Sequence, residues 1–89
     1  MFNVSSKRSR MEIYLDILQT IKKGVDKPTR IMYRTNLSWK PLMQFLDTMM
    51  EQKLIISEDV GSHITYKITE KGTNVLNYFH EAMQLIEIK

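Results

Sequence analysis

The chain contains no cysteine, so it holds neither a disulfide framework nor a thiolate metal site, and it suits a reducing interior. No apolar run approaches the roughly 20 residues needed to span a bilayer. The first ten residues, MFNVSSKRSR, lack the apolar centre of a signal peptide. A cytoplasmic location without membrane contact is therefore expected. Catalytic signatures are missing too: there is no glycine-rich phosphate loop, no metal-ligand spacing and no cysteine nucleophile. Glu58 and Asp59 are adjacent at a strand end and point to opposite sides, and no spacing ties the Ser and His residues into a triad. No enzyme activity, cofactor, metal or catalytic residue is expected. Proline and glycine are scarce, two and three among 89 residues, and each falls where an element starts, stops or turns. A chain of this length makes one domain with a modest core.

What is present is an uneven distribution of charge. The formal net charge is only +3, but residues 1–40 hold nine Lys or Arg against three acids, and residues 41–89 hold four against seven. Nucleic acid is the commonest partner of such a basic half; a soluble protein with an uneven surface is the plainer alternative. Residues 1–8 read as a flexible basic arm. Lys7, Arg8 and Arg10 form a small cluster that either touches phosphates or is simply solvated.

A first helix is expected over residues 9–23. Ser9 with Glu12 three residues later makes a capping box. Ile13, Leu15, Ile17, Leu18 and Ile21 supply a broad apolar face with Tyr14 at its edge, Lys22 and Lys23 suit the negative end of the dipole, and Gly24 is the stop. Pro28 suits a helix's first turn, which predicts a short second helix over 29–35. Asn36 tolerates the left-handed conformation that redirects the chain, Leu37 tucks inward, and Ser38 caps a third helix over 38–52. Pro41 falls in its first turn, where a missing amide costs little. Leu42, Phe45, Leu46, Met49 and Met50 recur at helical spacing along the inward face, while Lys40, Met43, Gln44, Asp47 and Glu51 point outward. Two helices joined by so short a turn form a helix-turn-helix, the later one being the recognition helix.

LIISED, then VGSH and ITYKIT, reads as a hairpin over 54–68 that turns around Val60, Gly61 and Ser62. Ile64, Tyr66 and Ile68 share one face, with His63, Thr65 and Lys67 on the other. Two strands are not stable alone, so the hairpin must pack on the helices. The fold expected is mainly α with a small β-hairpin: a winged helix-turn-helix over 9–69, the hairpin being the wing, followed by a C-terminal helix in 70–89. Thr69 begins that helix, Gly72 allows close approach to the hairpin, and the helix runs to about residue 87. Val75, Phe79, Ala82 and Ile86, with Leu76 and Met83 alongside, make a stripe wider than one core requires. The distal half is expected to extend past the globule and pair with a second copy, giving a homodimer. The alternative is that the stripe folds back over the first helix.

The run RSRMEIYLDILQTIKKGVDKPTRIMYRTNLSWKPLMQFLDTMMEQKLI followed by YKITEKG resembles a family of small archaeal winged-helix proteins predicted to be transcriptional regulators. The resemblance covers about residues 8–76, and TRIMYRTNLSW and YKITEKG are its most specific segments. It implies a winged helix that binds double-stranded DNA through the third helix and the wing, so Ser62 and His63 join the candidate contacts. In some relatives the last helix is extended into an antiparallel coiled coil. This chain departs from the pattern in having no Arg or Lys between Asp59 and His63, and in its shorter last helix.

Among the remaining candidates, Ser38 and Lys40 can reach phosphates, as can the free amides of the helix start. Gln44 has a paired donor and acceptor suited to adenine, and Met43 suits a thymine methyl or simple packing. Arg30 and Arg34 would neutralise backbone phosphate or form a solvated face. Trp39, the sole tryptophan, is expected to cover the junction of the first and third helices rather than to stack on nucleic acid. His63 reads as a neutral surface residue, and His80 lacks partners for a ligand role. Asp47 and Glu51 would repel phosphates, so only the first two turns of the third helix should enter a groove. The expected function is duplex DNA binding, sequence-tolerant or sequence-specific, by a small transcription regulator. The alternative is a protein-interaction module of the same fold.

Overall fold

The computed structural model describes residues 8–86. Its elements are α1 (Arg10–Lys22), α2 (Pro28–Thr35), α3 (Trp39–Glu51), β1 (Ile55–Asp59), β2 (Ile64–Ile68) and α4 (Glu70–Leu85). This is the expected order of three helices, a hairpin and a last helix.

The helix ends follow from local chemistry. At the start of α1 the Glu12 amide donates to Ser9 Oγ at 3.1 Å and the Ser9 amide donates to Glu12 Oε1 at 2.8 Å, a reciprocal cap. The first three helices all stop in the same way. A residue turns left-handed, and its amide and the next one reach back to carbonyls of the last turn. Gly24 does so at φ +100, Asn36 at φ 58 and Lys53 at φ 63. At Asn36, for instance, its amide donates to the Tyr33 carbonyl at 3.3 Å and the Leu37 amide to the Met32 carbonyl at 3.2 Å. Ser38 stands at the N-cap of α3 as expected, but its hydroxyl makes no capping bond.

The core is shared by every element. Ile17 and Leu18 of α1, Ile31 of α2, Leu42, Leu46 and Met49 of α3, Ile55 of β1 and Leu76 of α4 are fully buried. Each stabilises the fold by about 1.5–3 kcal/mol relative to exposure. At the α1–α3 junction the Tyr14 and Phe45 rings meet edge to face, centroids 5.3 Å apart.

β1 and β2 pair antiparallel from Ile55↔Ile68 to Asp59↔Ile64. The other edge of β2 is used too, since the Tyr66 amide donates to the Asp26 carbonyl at 2.9 Å. The expected inward face of β2 needs one correction. Tyr66 is buried and Ile68 half-buried, but Ile64 is 47 % exposed, and Thr65 on the opposite face is buried. Ile64 pairs with Asp59 in the last register position before the turn, farthest from the end anchored by buried Ile55.

α4 is latched to the turn between α3 and β1. Thr69 Oγ1 accepts from the Gly72 amide at 3.0 Å and donates to the Lys53 carbonyl at 2.7 Å, and Lys71 Nζ donates to the Gln52 carbonyl at 2.8 Å. A side chain at buried Gly72 would run into the Leu54 carbonyl oxygen, so the close approach to the hairpin is real. Val75, Leu76 and Phe79 then pack on the core, whereas Ala82, Met83 and Ile86 are exposed. The stripe thus folds back over α1 along its first half only. Among the described residues no helix is long and apolar enough to cross a membrane.

Candidate nucleic-acid interface

α2 is a short helix whose inward positions, Ile31 and Thr35, are one turn apart. Thr35 is satisfied within the helix, its hydroxyl donating to the Ile31 carbonyl at 2.7 Å. That orientation turns Arg30, Tyr33 and Arg34 outward, where they line a recess of about 370 Å³. The Asn36 turn then delivers α3 with Lys40 and Gln44 exposed, one helical turn apart, and Met43 half-buried against the core. Residues 27–46 carry four cations, Lys27, Arg30, Arg34 and Lys40, and no acid. All four are exposed, and none makes an ion pair with a described residue. A second groove, about 290 Å³, borders Arg34 on the α1 side, where Asp16, Gln19, Thr20 and Lys23 line it.

The other basic residues behave differently. Arg8, read as the end of a loose arm, is fixed: Nη1 pairs with Asp16 at 2.6 Å and Nη2 donates to the Thr35 carbonyl at 2.7 Å. It ties α1 to the negative end of α2, where a cation is favoured. The Arg10 guanidinium lies over the Phe45 ring, 5.1 Å from its centroid. The free cluster expected of Lys7, Arg8 and Arg10 does not form from the latter two; Lys7 lies outside the described residues.

Trp39 is the main correction. It does not cover the α1–α3 junction but stands 46 % exposed at the first position of α3. The junction is already filled by Tyr14, Phe45 and Arg10. Tyr33, overlooked in the sequence, is 79 % exposed between Arg30 and Arg34. Its position two residues after the buried Ile31 was the available signal. Ser62 and His63 occupy the hairpin tip, with Ser62 Oγ 3.2 Å from His63 Nδ1. An Asx turn shapes that tip, the Gly61 amide donating to Asp59 Oδ1 at 3.0 Å. Asp47 does not stand alone on α3: its charge acts on the Tyr66 hydroxyl, whose pKa it raises after the larger effect of burial. Among the described residues no three His, Asp or Glu come together as metal ligands would.

The helix-turn-helix has an exposed leading turn and is backed by a two-stranded hairpin, and a family model described as winged helix-turn-helix matches residues 7–87. The chain belongs to that family. Two relatives of this winged helix-turn-helix chain come from Methanocaldococcus jannaschii. Uncharacterized protein MJ0287 is 29 % identical over 83 residues, covering 93 % of this chain and 81 % of its own. Uncharacterized protein MJ0290 is 32 % identical over 82 residues, and there the chain spans only 37 % of the relative's length. Among solved structures, Sso10a-2, a DNA-binding protein from Sulfolobus solfataricus, superposes with a TM-score of 0.74 at 24 % identity, over 88 % of this chain and 81 % of that one. Lactococcus lactis ZitR in complex with DNA superposes at 0.72 with 19 % identity, over 96 % of this chain and 62 % of that one. At such identities these structures establish the winged-helix fold and nothing finer.

Proposed function

We propose that this winged helix-turn-helix protein binds double-stranded DNA as a small cytoplasmic transcription regulator, with the first two turns of α3 in the major groove and the hairpin as wing. The observation that carries this reading is the run of exposed cations on and just before α2 and on early α3, with no acid in residues 27–46 and no ion pair to a described residue, and with Lys40 and Gln44 both open to solvent. Arg30, Arg34 and Lys40 neutralise phosphates and set the position of the helix, Ser38 and the leading amides add neutral phosphate contacts, and Gln44 faces base edges. Ser62 and His63 extend the contact from the wing. DNA binding by Sso10a-2 and the ZitR–DNA complex support the assignment by fold analogy. The work is binding, not catalysis. The distal half of α4, through Ala82, Met83 and Ile86 continuing the line of Val75 and Phe79, pairs two copies.

Duplex titrations at several salt concentrations test this. With about three phosphates neutralised, a fourfold rise in salt lowers affinity roughly 40-fold. Lys40→Ala and Arg34→Ala each weaken binding across sequences and reduce the salt slope by about one. Affinity indifferent to salt and to both substitutions would remove the proposal. One observation favours a second reading: the wing exposes Ile56, Val60 and Ile64 and has no cation between Asp59 and His63, a surface suited to a protein. Retention of a protein partner with no duplex shift at low salt would select it.

A further inference from the structure

Trp39 holds the first position of α3 and is half in solvent, although an indole is the largest apolar surface the chain possesses. Met43 follows one turn later on the same flank and is half-buried against the core. Lys40 and Gln44, the next residue in each case, are exposed beside them. The leading two turns of α3 therefore present two parallel edges, a polar one of Lys40 and Gln44 and an apolar one of Trp39 and Met43. No residue in these turns is acidic.

The polar edge suits the hydrogen-bonding groups and phosphates of a duplex. The apolar edge calls for an apolar target, and the floor of the major groove offers one, the 5-methyl group of thymine. We infer that Trp39, backed by Met43, is a specificity-determining residue that reads thymine methyl groups in the major groove. The inference rests on the duplex reading of α3 and adds to it which bases the apolar flank prefers. Each methyl buried against the ring is worth about fourfold in affinity.

Deoxyuridine tests this without altering the protein, because it removes the methyl and leaves phosphate charge and hydrogen-bonding edges unchanged. The full chain is titrated with an alternating dA–dT duplex and with the same duplex carrying deoxyuridine for thymidine. Tighter binding to the thymidine duplex, by about fourfold for each methyl engaged, is expected. Trp39→Ala should bind both duplexes alike, at the affinity the unsubstituted protein has for the deoxyuridine duplex. Lys40→Ala should weaken both by one common factor and keep the preference. Emission of Trp39, the sole tryptophan, should shift to the blue on saturation with the thymidine duplex and less with the other. Equal, salt-dependent affinity of the unsubstituted protein for the two duplexes overturns the inference and leaves the duplex reading standing. A preference that survives Trp39→Ala also overturns it. Absence of binding to either duplex at low salt overturns the duplex reading itself, and this inference with it.

Discussion

Tyr66 shows how one side chain couples the hairpin to α3. Burial raises its pKa above the ordinary 10.0, and the negative charge of Asp47 on α3 raises it further. The folded chain therefore holds the phenolic proton to higher pH than the unfolded chain does. Above pH 10 the unfolded state loses that proton first, so the stabilising contribution is complete below pH 10 and is lost as pH rises toward the folded value. Urea unfolding should accordingly show stability falling more steeply above pH 10 in the unsubstituted chain than in Tyr66→Phe, with Asp47→Asn in between. Parallel pH dependence in all three would contradict the coupling. The same contact changes the meaning of Asp47, which reads in the sequence as a charge set against phosphate. Its field is directed in part at a tyrosine from a strand 19 positions downstream in the chain, a proximity that no local pattern of residues encodes.

At the scale of elements, three successive helices end in left-handed residues, and they differ in how well the residue suits that conformation. Gly24 has no Cβ to strain, and Asn36 is among the few side chains that tolerate it, but Lys53 at φ 63 is an ordinary L-residue held there. What holds it is α4: Thr69 and Lys71 bond the Lys53 and Gln52 carbonyls from a segment that follows the hairpin. Lys53→Gly should relieve the strain and, after the greater entropy of glycine in the unfolded chain, raise stability by about 0.5–1 kcal/mol, read from the denaturant midpoint. A lower midpoint would show that the lysine is not strained. This contrast explains what was legible beforehand. The Ser9–Glu12 cap, the stops at Gly24 and Asn36 and the closeness at Gly72 depend on residues with distinctive backbone or capping chemistry, and they could be read directly. The turn at Lys53, the exposure of Trp39 and the pairing of Arg8 and Arg10 depend on partners brought by other elements. Of the candidate interface, the cations on α2 and early α3 were legible as a run of charge without acid. The exposed aromatic rings were not, because whether a Trp is buried depends on what already fills the neighbouring space.

For the whole molecule, the longest extent is 47 Å against a shortest of 21 Å, and α4, about 24 Å long at 1.5 Å per residue over its 16 residues, has a distal half that no described element covers. Its proximal turns, at Gly72, Val75, Leu76 and Phe79, are used by the core, while Ala82, Met83 and Ile86 continue the same line into solvent. Two copies set side by side along that line would cover it by the knobs-and-holes contact of a short coiled coil. A two-fold axis there would present two α3 helices to two half-sites of one duplex. Because Phe79 belongs to both the core and the stripe, charging it would unsettle the globule as well as the pairing, so the informative substitutions are Met83→Glu and Ile86→Glu. Sedimentation equilibrium should give a dimer for the unsubstituted chain and a monomer for the doubly substituted one, with the helical circular dichroism of the globule retained. The monomer should still bind duplex, with weaker affinity and a footprint reduced to one half-site. An unsubstituted chain that sediments as a monomer even at high concentration would leave α4 as a single-copy element and end the two-half-site arrangement, without touching the reading of α3.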